Sequence, residues 1–459
     1  MRAPFRALAL TVGALATQLL CAQPACPEPP AYRFLRFDES YAYLRRPECA
    51  VDPFDVVKYR DIGFDGWRAS FGADVRIRLE TGQDIRYTTA PPNPRNDVVQ
   101  RYHVHAELRL DDRLRFFGEL KANETAGRPV PIPTDENKLD VHQAFVDFHD
   151  AATRLRAGRQ EFTFGGMRRL FPRNGPNVRG SYDAVRITHR DGEWSVDALA
   201  FRPVGIDAGR FDDSSIGAQR GWGVYGSGPA IAGLRFDAYY LGLAREGSRF
   251  VQGIADELRH SIGARAFGRA GAWDHDHEVT VQSGHFGTGN IRAWAVEGEV
   301  GYTFAGMGPA PPRFSLRYDA GSGDRDPADA RLETFNALFP RGGVTGEIFN
   351  FSPANLLHVR LGVDQRVTSN VGVVVSVDGF WRTSLRDGVY GTGGNIMAAA
   401  PASRARYVGW DADATVNWRL SRQVVLGFSA GYFRNGTFSR DAGLPRRQWL
   451  FFPVLSIQV

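Results

Sequence analysis

Residues 153–188 read TRLRAGRQEFTFGGMRRLFPRNGPNVRGSYDAVRIT. The stretch predicts a strand, a loop crowded with arginine, glycine and proline, and a second strand. In the first strand Leu155 and Ala157 face one way, Arg154 and Arg156 the other. In the second, Val185 and Ile187 oppose Tyr182, Ala184, Arg186 and Thr188. Side chains alternate across a strand, so each strand has one apolar and one polar, cationic face. A half-buried soluble sheet would alternate in the same way. Recurrence of the pattern along the chain separates the two.

The pattern recurs from Trp67 to the end. Phe71, Ala73, Val75, Ile77 and Leu79 oppose Asp74, Arg76, Arg78 and Glu80. Tyr102, Val104, Ala106, Leu108 and Leu110 oppose Arg101, His103, His105, Glu107 and Arg109. Further strands are predicted at Leu114 to Thr125, Lys138 to His149, Thr153 to Gly165, Glu193 to Val204, Gly233 to Glu246 and Glu257 to Ala270. Late in the chain Leu357, Val359, Leu361 and Val363 oppose His358, Arg360, Asp364 and Arg366, and Trp410, Ala412, Ala414, Val416 and Trp418 oppose Asp411, Asp413, Thr415, Asn417 and Arg419. The pattern gives about eighteen strands and no convincing helix. Short turns at Asp111-Asp112, Asp191-Gly192 and Ser421-Arg422 alternate with long connections at Thr81 to Val98, Gly321 to Asn355 and Asp387 to Ala405.

Residues 1–22 carry Arg2 and Arg6, no acid, an apolar run from Ala7 to Leu20 and a small-residue end. That is the pattern of a secretory signal peptide cut after Ala22. The reading divides the chain into a signal peptide (1–22), an irregular proline-rich segment (23–66) and a strand-rich region (67–459). Cys26 and Cys49 remain after cleavage, a pair placed to form a disulfide in an oxidising compartment. The formal charge of the chain is +5, and +3 without Arg2 and Arg6. The only lysines are Lys58, Lys121 and Lys138; the other basic residues are arginine, which grips carboxylates in a bidentate way.

Three features place the apolar faces against lipid rather than in a sandwich core. Tyr102, Trp294, Tyr302, Phe304, Trp381, Trp410, Trp418 and Trp449 sit near strand ends on the apolar face, as an interfacial girdle does. The apolar faces are rich in alanine and glycine, too small to fill a core. A sheet of this many strands must close to remove its edges. The fold expected is an all-β transmembrane antiparallel barrel of the outer-membrane porin type, in a Gram-negative bacterium.

Three stretches carry a resemblance. His142-Gln143-Ala144-Phe145-Val146-Asp147 is similar to an HQAYVDL-type strand. Gly158-Arg159-Gln160-Glu161, with Arg169-Leu170, Arg173-Asn174, Asn177, Arg179 and Tyr182-Asp183-Ala184-Val185-Arg186, is similar to a GRQEL…GRSFDAVRL core. Gly321-Ser322-Gly323-Asp324 and Glu333 to Pro340 resemble an SGD…TFNxLFP loop. On these the chain resembles the alginate-export family of outer-membrane porins. It departs from that family at Phe162 to Met167, where members more often carry an acidic residue after the glycine. The resemblance implies passage of an anionic uronate polysaccharide, or anion selectivity more generally, with outer-membrane lipid around the barrel and periplasmic export partners; nothing predicts a nucleic-acid partner.

In such a pore, rings of arginine favour anions, and interspersed carboxylates keep binding weak enough for release. The candidate lumen residues are Arg76, Arg109, Arg156, Arg186, Arg317, Arg360, Arg382, Arg419 and Glu80, with Arg159, Arg173, Arg179 and Asp183 in the family-like core. Asp183 with Arg179 or Arg186 also reads as a structural network, and most lumen charges in such barrels pair with one another. No catalytic group, cofactor or metal is expected. His275 and His277 share the lipid face, His103 and His105 face the lumen beside Glu107, and Asp324, Asp326 and Asp329 lack the full ligand set of a calcium loop. Ser181, Ser261 and Ser376 have no nucleophile motif around them. Two other functions remain open: a general or nutrient-uptake porin for another small solute, and a barrel hydrolase.

Overall fold

The computed structural model describes residues 26–83, 94–128, 132–342, 345–348, 351–399 and 403–459. Residues 1–22, read as a leader, lie outside the described residues. Eighteen long strands form one closed antiparallel barrel. They are β1 (Trp67–Gln83), β2 (Pro94–Leu110), β3 (Leu114–Ala126), β4 (Asn137–His149), β5 (Thr153–Gln160), β6 (Tyr182–Asp191), β7 (Trp194–Pro203), β8 (Gln219–Ser227) and β9 (Leu234–Phe250), followed by β10 (Gly253–Ala270), β11 (Trp273–Phe286), β12 (Gly289–Thr303), β13 (Arg313–Gly321), β14 (Leu356–Arg366), β15 (Val371–Arg382), β16 (Tyr407–Arg419), β17 (Val424–Asn435) and β18 (Arg447–Gln458). Each pairs with the next, and β18 returns to β1, setting Gln458 opposite Asp74 and Trp449 opposite Gln83. Closure leaves no edge with unpaired backbone groups, the condition for a sheet in lipid.

The alternation resolves as membrane-facing. Val104, Ile187, Ile262, Val281, Leu361 and Val377 are exposed on the outer surface, whereas Lys121, Asp147, Arg156, Arg259, His142 and Asp378 are buried inside. A soluble barrel would show the reverse. The connections at the end where the chain enters β1 and leaves β18 are short, while the other end carries the long ones together with two tight hairpins, Phe250–Gly253 and Phe286–Gly289. The end with short connections is periplasmic by the usual asymmetry of such barrels, and the long connections are external.

The structure differs from the sequence expectation at several boundaries. The fifth strand was expected to run to Gly165 and stops at Gln160. Past it, Phe162 and Phe164 bury against Tyr182, Phe201, Tyr225 and Tyr239, so the chain turns into the lumen. Gly165 makes that turn with φ +51°, and a Cβ there would sit 2.1 Å from the Tyr225 hydroxyl. The gap expected between Glu246 and Glu257 is strand instead, because β9 and β10 extend to a tight hairpin at Phe250–Gly253. The stretch expected as the connection Asp387 to Ala405 carries a small ribbon of Val389–Tyr390 and Ile396–Ala398. One helical turn, Thr437–Asp441, forms before β18, and 3-10 turns occur between residues 36 and 57.

The N-terminal segment enters the periplasmic mouth. Cys26 and Cys49 are joined by a disulfide. Phe37 packs on Phe117 and Phe145 inside the barrel, with ring centroids 5.8 and 5.2 Å away. Arg36 donates to Asp74 (2.8 Å) and to the Val459 carbonyl (2.9 Å), across the seam where the sheet closes. At the rim, Arg422 in the turn after β16 donates to Asp52 (2.7 Å) and to the Pro30 carbonyl (2.8 Å).

Lys58 makes this docking pH-dependent. Its Nζ lies 4.7 Å from the Tyr41 ring centroid and has no hydrogen-bond partner among the described residues. Burial, then the charge of Arg36, lowers its pKa to about 8. A free lysine titrates near 10.4, so the docked segment binds fewer protons than the released one between these values. Docking therefore strengthens as pH rises from about 8 toward 10.4. Protease protection of the segment across this range should increase, and Lys58→Met should tighten docking at pH 7 and abolish the dependence.

Candidate pore constriction

The loop between β5 and β6, residues 161–181, spans the lumen. On one side Asn177 donates to the backbone carbonyls of Gln100 (2.9 Å), Glu124 (3.1 Å) and Asp135 (2.9 Å), and Asn123 donates back to Asn177 (2.9 Å). On the other, Arg168 donates to Asp276 (2.9 Å) and Glu278 (3.2 Å), and Arg169 pairs with Glu297 and donates to Thr280 (3.0 Å). The first anchors lie on β2 and β3, the second on β11 and β12. Those strand pairs stand half the circumference apart, so the loop bridges the barrel from wall to wall.

Two other segments meet it. Part of the connection between β13 and β14 also folds inward: Phe171 N–H donates to the Phe339 carbonyl, Phe339 N–H to that of Arg169 and Arg341 N–H to that of Met167, each at 2.9 Å. From the periplasmic side, Phe34 stacks on Phe171 with centroids 5.0 Å apart. Arg33, Asp38, Arg76, Arg341 and Glu347 face a cavity of about 600 Å³ where the three segments converge.

Most candidate arginines are engaged by carboxylates of the wall or, for Arg179, of the loop itself. Arg109 pairs with Glu107, Arg156 with Asp147, Arg179 with Glu161, Arg186 with Asp197, Arg317 with Asp319 and Arg360 with Asp378. Asp183 pairs with Arg159 (2.9 Å), not with Arg179 or Arg186 as expected, because register sets Arg159 directly opposite it. Glu80 gathers Arg78, Arg95 and Arg128. Arg382 leaves the ring of candidates: it donates to the carbonyls of Leu385, Asp387, Ser403 and Ala405 and stacks 3.9 Å from Phe438, so it braces the external loops. Arg419 is the last residue of β16, exposed on the short-turn rim.

Arg76 and Arg173 differ from the rest. Arg76 donates to the carbonyls of Asn174 (2.8 Å) and Pro176 (3.0 Å), and Arg173 to that of Thr392 (2.6 Å). Neither has a carboxylate partner among the described residues. The sequence reading missed Arg101, which register places directly opposite Arg76 and which grips the carbonyls of Asn174, Pro176 and Asn177. Two like charges opposed across strands repel; the carbonyls of the bridging loop offset that cost. Arg33 and Arg341 were also missed, since only tertiary folding brings them to the cavity.

The histidines, aspartates and serines weighed in the sequence each have their own surroundings. His105 stacks on Phe117 (5.5 Å) and Glu107 turns to Arg109 and Arg115, so His103, His105 and Glu107 share no site. Asp326 pairs with Arg386, and Asp329 accepts from the Arg331 N–H. Ser261 accepts from Gln282, while Ser181 Oγ has no partner among the described residues.

A closed barrel, apolar outside, charged within and narrowed by inward loops, defines an outer-membrane channel of the porin type. The alginate export family model matches residues 67–450, and the chain belongs to that family, in the outer membrane of a Gram-negative bacterium. Among solved structures, the barrel is similar to OccK8 (OprE) of Pseudomonas aeruginosa, with a TM-score of 0.58 and 11% identity over 85% of this chain and 98% of that one. It is also similar to Pseudomonas aeruginosa OpdK with vanillate (TM-score 0.56, 10% identity, 85% and 98% covered). A BenF-like porin from Pseudomonas fluorescens Pf-5 gives the same figures. No curated protein matches the chain in sequence.

Proposed function

We propose that the channel passively conducts anionic saccharides outward, an alginate-like uronate polymer foremost. The observation that carries this reading is the cavity at the constriction. Three arginines, Arg33, Arg76 and Arg341, face it, and Arg76 is held by carbonyls rather than by a carboxylate. A guanidinium held that way keeps its charge available to a passing carboxylate. Asp38 and Glu347 on the same cavity keep residence short, as conduction requires. Family membership supports the polymer and the direction.

A second reading, uptake of a small solute, has its own support. A cavity of about 600 Å³ suits a small molecule, and one structural neighbour is a complex with vanillate. Block of single-channel current separates the two. Oligouronates should block the wild-type channel, and Arg76→Gln combined with Arg341→Gln should weaken that block at least roughly tenfold, since a hydrogen bond to a charged group contributes about 1.5–3 kcal/mol. Block by monomeric carboxylates equal to that by oligomers would favour the small-solute reading. Absence of block by either would contradict an anionic substrate.

A further inference from the structure

We propose that Arg202 and Arg220 bind a phosphate group of the outer-leaflet glycolipid, on the outer face of the barrel at its external end. On β7, Val196, Ala198, Ala200 and Arg202 lie on the outer face, while Asp197, Leu199, Phe201 and Pro203 are buried on the inner one. On β8, Arg220, Trp222 and Val224 face outward, alternating with the buried Gly221, Gly223 and Tyr225. Phe201 pairs with Gly221, so Arg202 and Arg220 follow as neighbours one step further out. Facing residues of paired strands stand about 5 Å apart at Cβ, near enough for both guanidiniums to reach one phosphate.

The pair is uncompensated. Both arginines are exposed, and like charges side by side on a sheet repel. Register sets Asp183 opposite Arg202, yet Asp183 pairs with Arg159 (2.9 Å) and accepts from Ser215 Oγ (2.5 Å). Glu246, two residues beyond the Ala244 that faces Arg220, makes no ion pair with either arginine. Among the described residues neither Arg202 nor Arg220 has a side-chain hydrogen bond or ion pair. Inside the barrel, by contrast, most arginines carry a carboxylate of their own.

Depth in the membrane selects the ligand. Below Arg220 the Trp222 indole lies over Gly242, where a Cβ would sit 2.1 Å from the ring. Its Nε1 donates to the Tyr240 hydroxyl (3.3 Å), which lies 2.8 Å from His260 Nδ1. Rings with polar tips at one level mark the membrane–water interface. At the other end of β7, Trp194 is exposed on the same face. Arg202 stands roughly 26 Å along the strand from it at ~3.3 Å per residue. At the usual tilt of about 40° that is roughly 20 Å of depth, most of an apolar band ~25 Å tall. The long arginine stems then carry the charges up to headgroup level. In the outer leaflet of the outer membrane that level holds the phosphates of a phosphorylated sugar headgroup, and paired guanidiniums grip phosphate oxygens in a bidentate way.

The test titrates the full chain in detergent with deep-rough lipopolysaccharide, and native mass spectrometry reads the bound fraction. Arg202→Gln combined with Arg220→Gln should weaken binding roughly tenfold or more. A charge-matched control, Arg249→Gln with Arg292→Gln, removes two exposed arginines at the external ends of β9 and β12 and should leave binding unchanged. Barrel formation in each variant is checked by heat-modifiable gel migration. Dephosphorylated lipopolysaccharide should bind the wild type as weakly as the double variant binds the intact lipid, a comparison that needs no variant to fold. Phosphatidylglycerol and inorganic phosphate, added as competitors, identify the source of the phosphate: neither should displace the glycolipid at equal concentration. Displacement by either overturns the glycolipid assignment. Equal binding in wild type and double variant, an equal loss in the control, or indifference to dephosphorylation overturns the arginine pair as a phosphate site.

Discussion

Asp147→Asn should be the most damaging single substitution in the barrel wall. Asp147 is fully buried and takes both Arg156 (2.6 and 2.9 Å) and Arg115 (2.9 Å). Arg156 is itself buried, held between the Phe37 and Phe145 rings at 4.0 and 3.9 Å. An amide would leave two desolvated guanidiniums facing a neutral group, and breaking a buried ion pair from one side costs about 3–5 kcal/mol. Urea unfolding of the refolded barrel in detergent should show a loss of that size. The comparison variant is Glu333→Gln. Its partner Arg325 is exposed, and such a pair contributes about 0–1 kcal/mol. Equal, small losses in both variants would mean that lumen water screens Asp147 as well as it screens the surface.

The second large effect concerns conductance. Barrels of sixteen to eighteen strands leave an aqueous channel unless something fills it. Here the filling is the loop of residues 161–181, pinned at Asn177 on one wall and at Arg168 and Arg169 on the other. Replacing residues 166–171 by a short glycine-serine linker should raise single-channel conductance several-fold. Phe162 and Phe164 stay in place in that variant, and Leu170 is the one member of their buried cluster that it removes. Arg169→Ala, which removes one of the two far anchors and leaves Arg168 on Asp276 and Glu278, should give a smaller rise with added current noise. Unchanged conductance in the linker variant would place the narrowest point elsewhere, most simply at the N-terminal segment around Phe37.

These two effects differ in how far they could be read from the chain alone. The alternation of Val185 and Ile187 with Arg186 identified strand faces, because a strand's period is local. Closure and strand number followed from the recurrence of that alternation. Asp147 and Arg156 were recognisable as interior residues by the same rule, but their pairing needed the register between β4 and β5. The inward course of residues 161–181 left only an indirect trace: a loop rich in arginine and apolar residues, where an external loop has no use for Phe162 or Phe164. The bulge at His142, an extra residue between the pairs Glu119–Gln143 and Leu120–Val141, left a phase shift that the reading of one continuous strand passed over: Leu139 and Val141 hold the outer face before it, Ala144, Val146 and Phe148 after it. Arg341 became a constriction residue only because residues 339–341 pair with 167–171, a contact between segments far apart in sequence.

The central claim is that this constriction favours anions. The reversal potential of single channels in a planar bilayer, under a steep potassium chloride gradient, tests it most directly. The sign expected is that of chloride permeating faster than potassium, moving toward zero when Arg76 and Arg341 are both changed to glutamine. Cation selectivity in the wild type, or anion selectivity indifferent to those two substitutions, would contradict it.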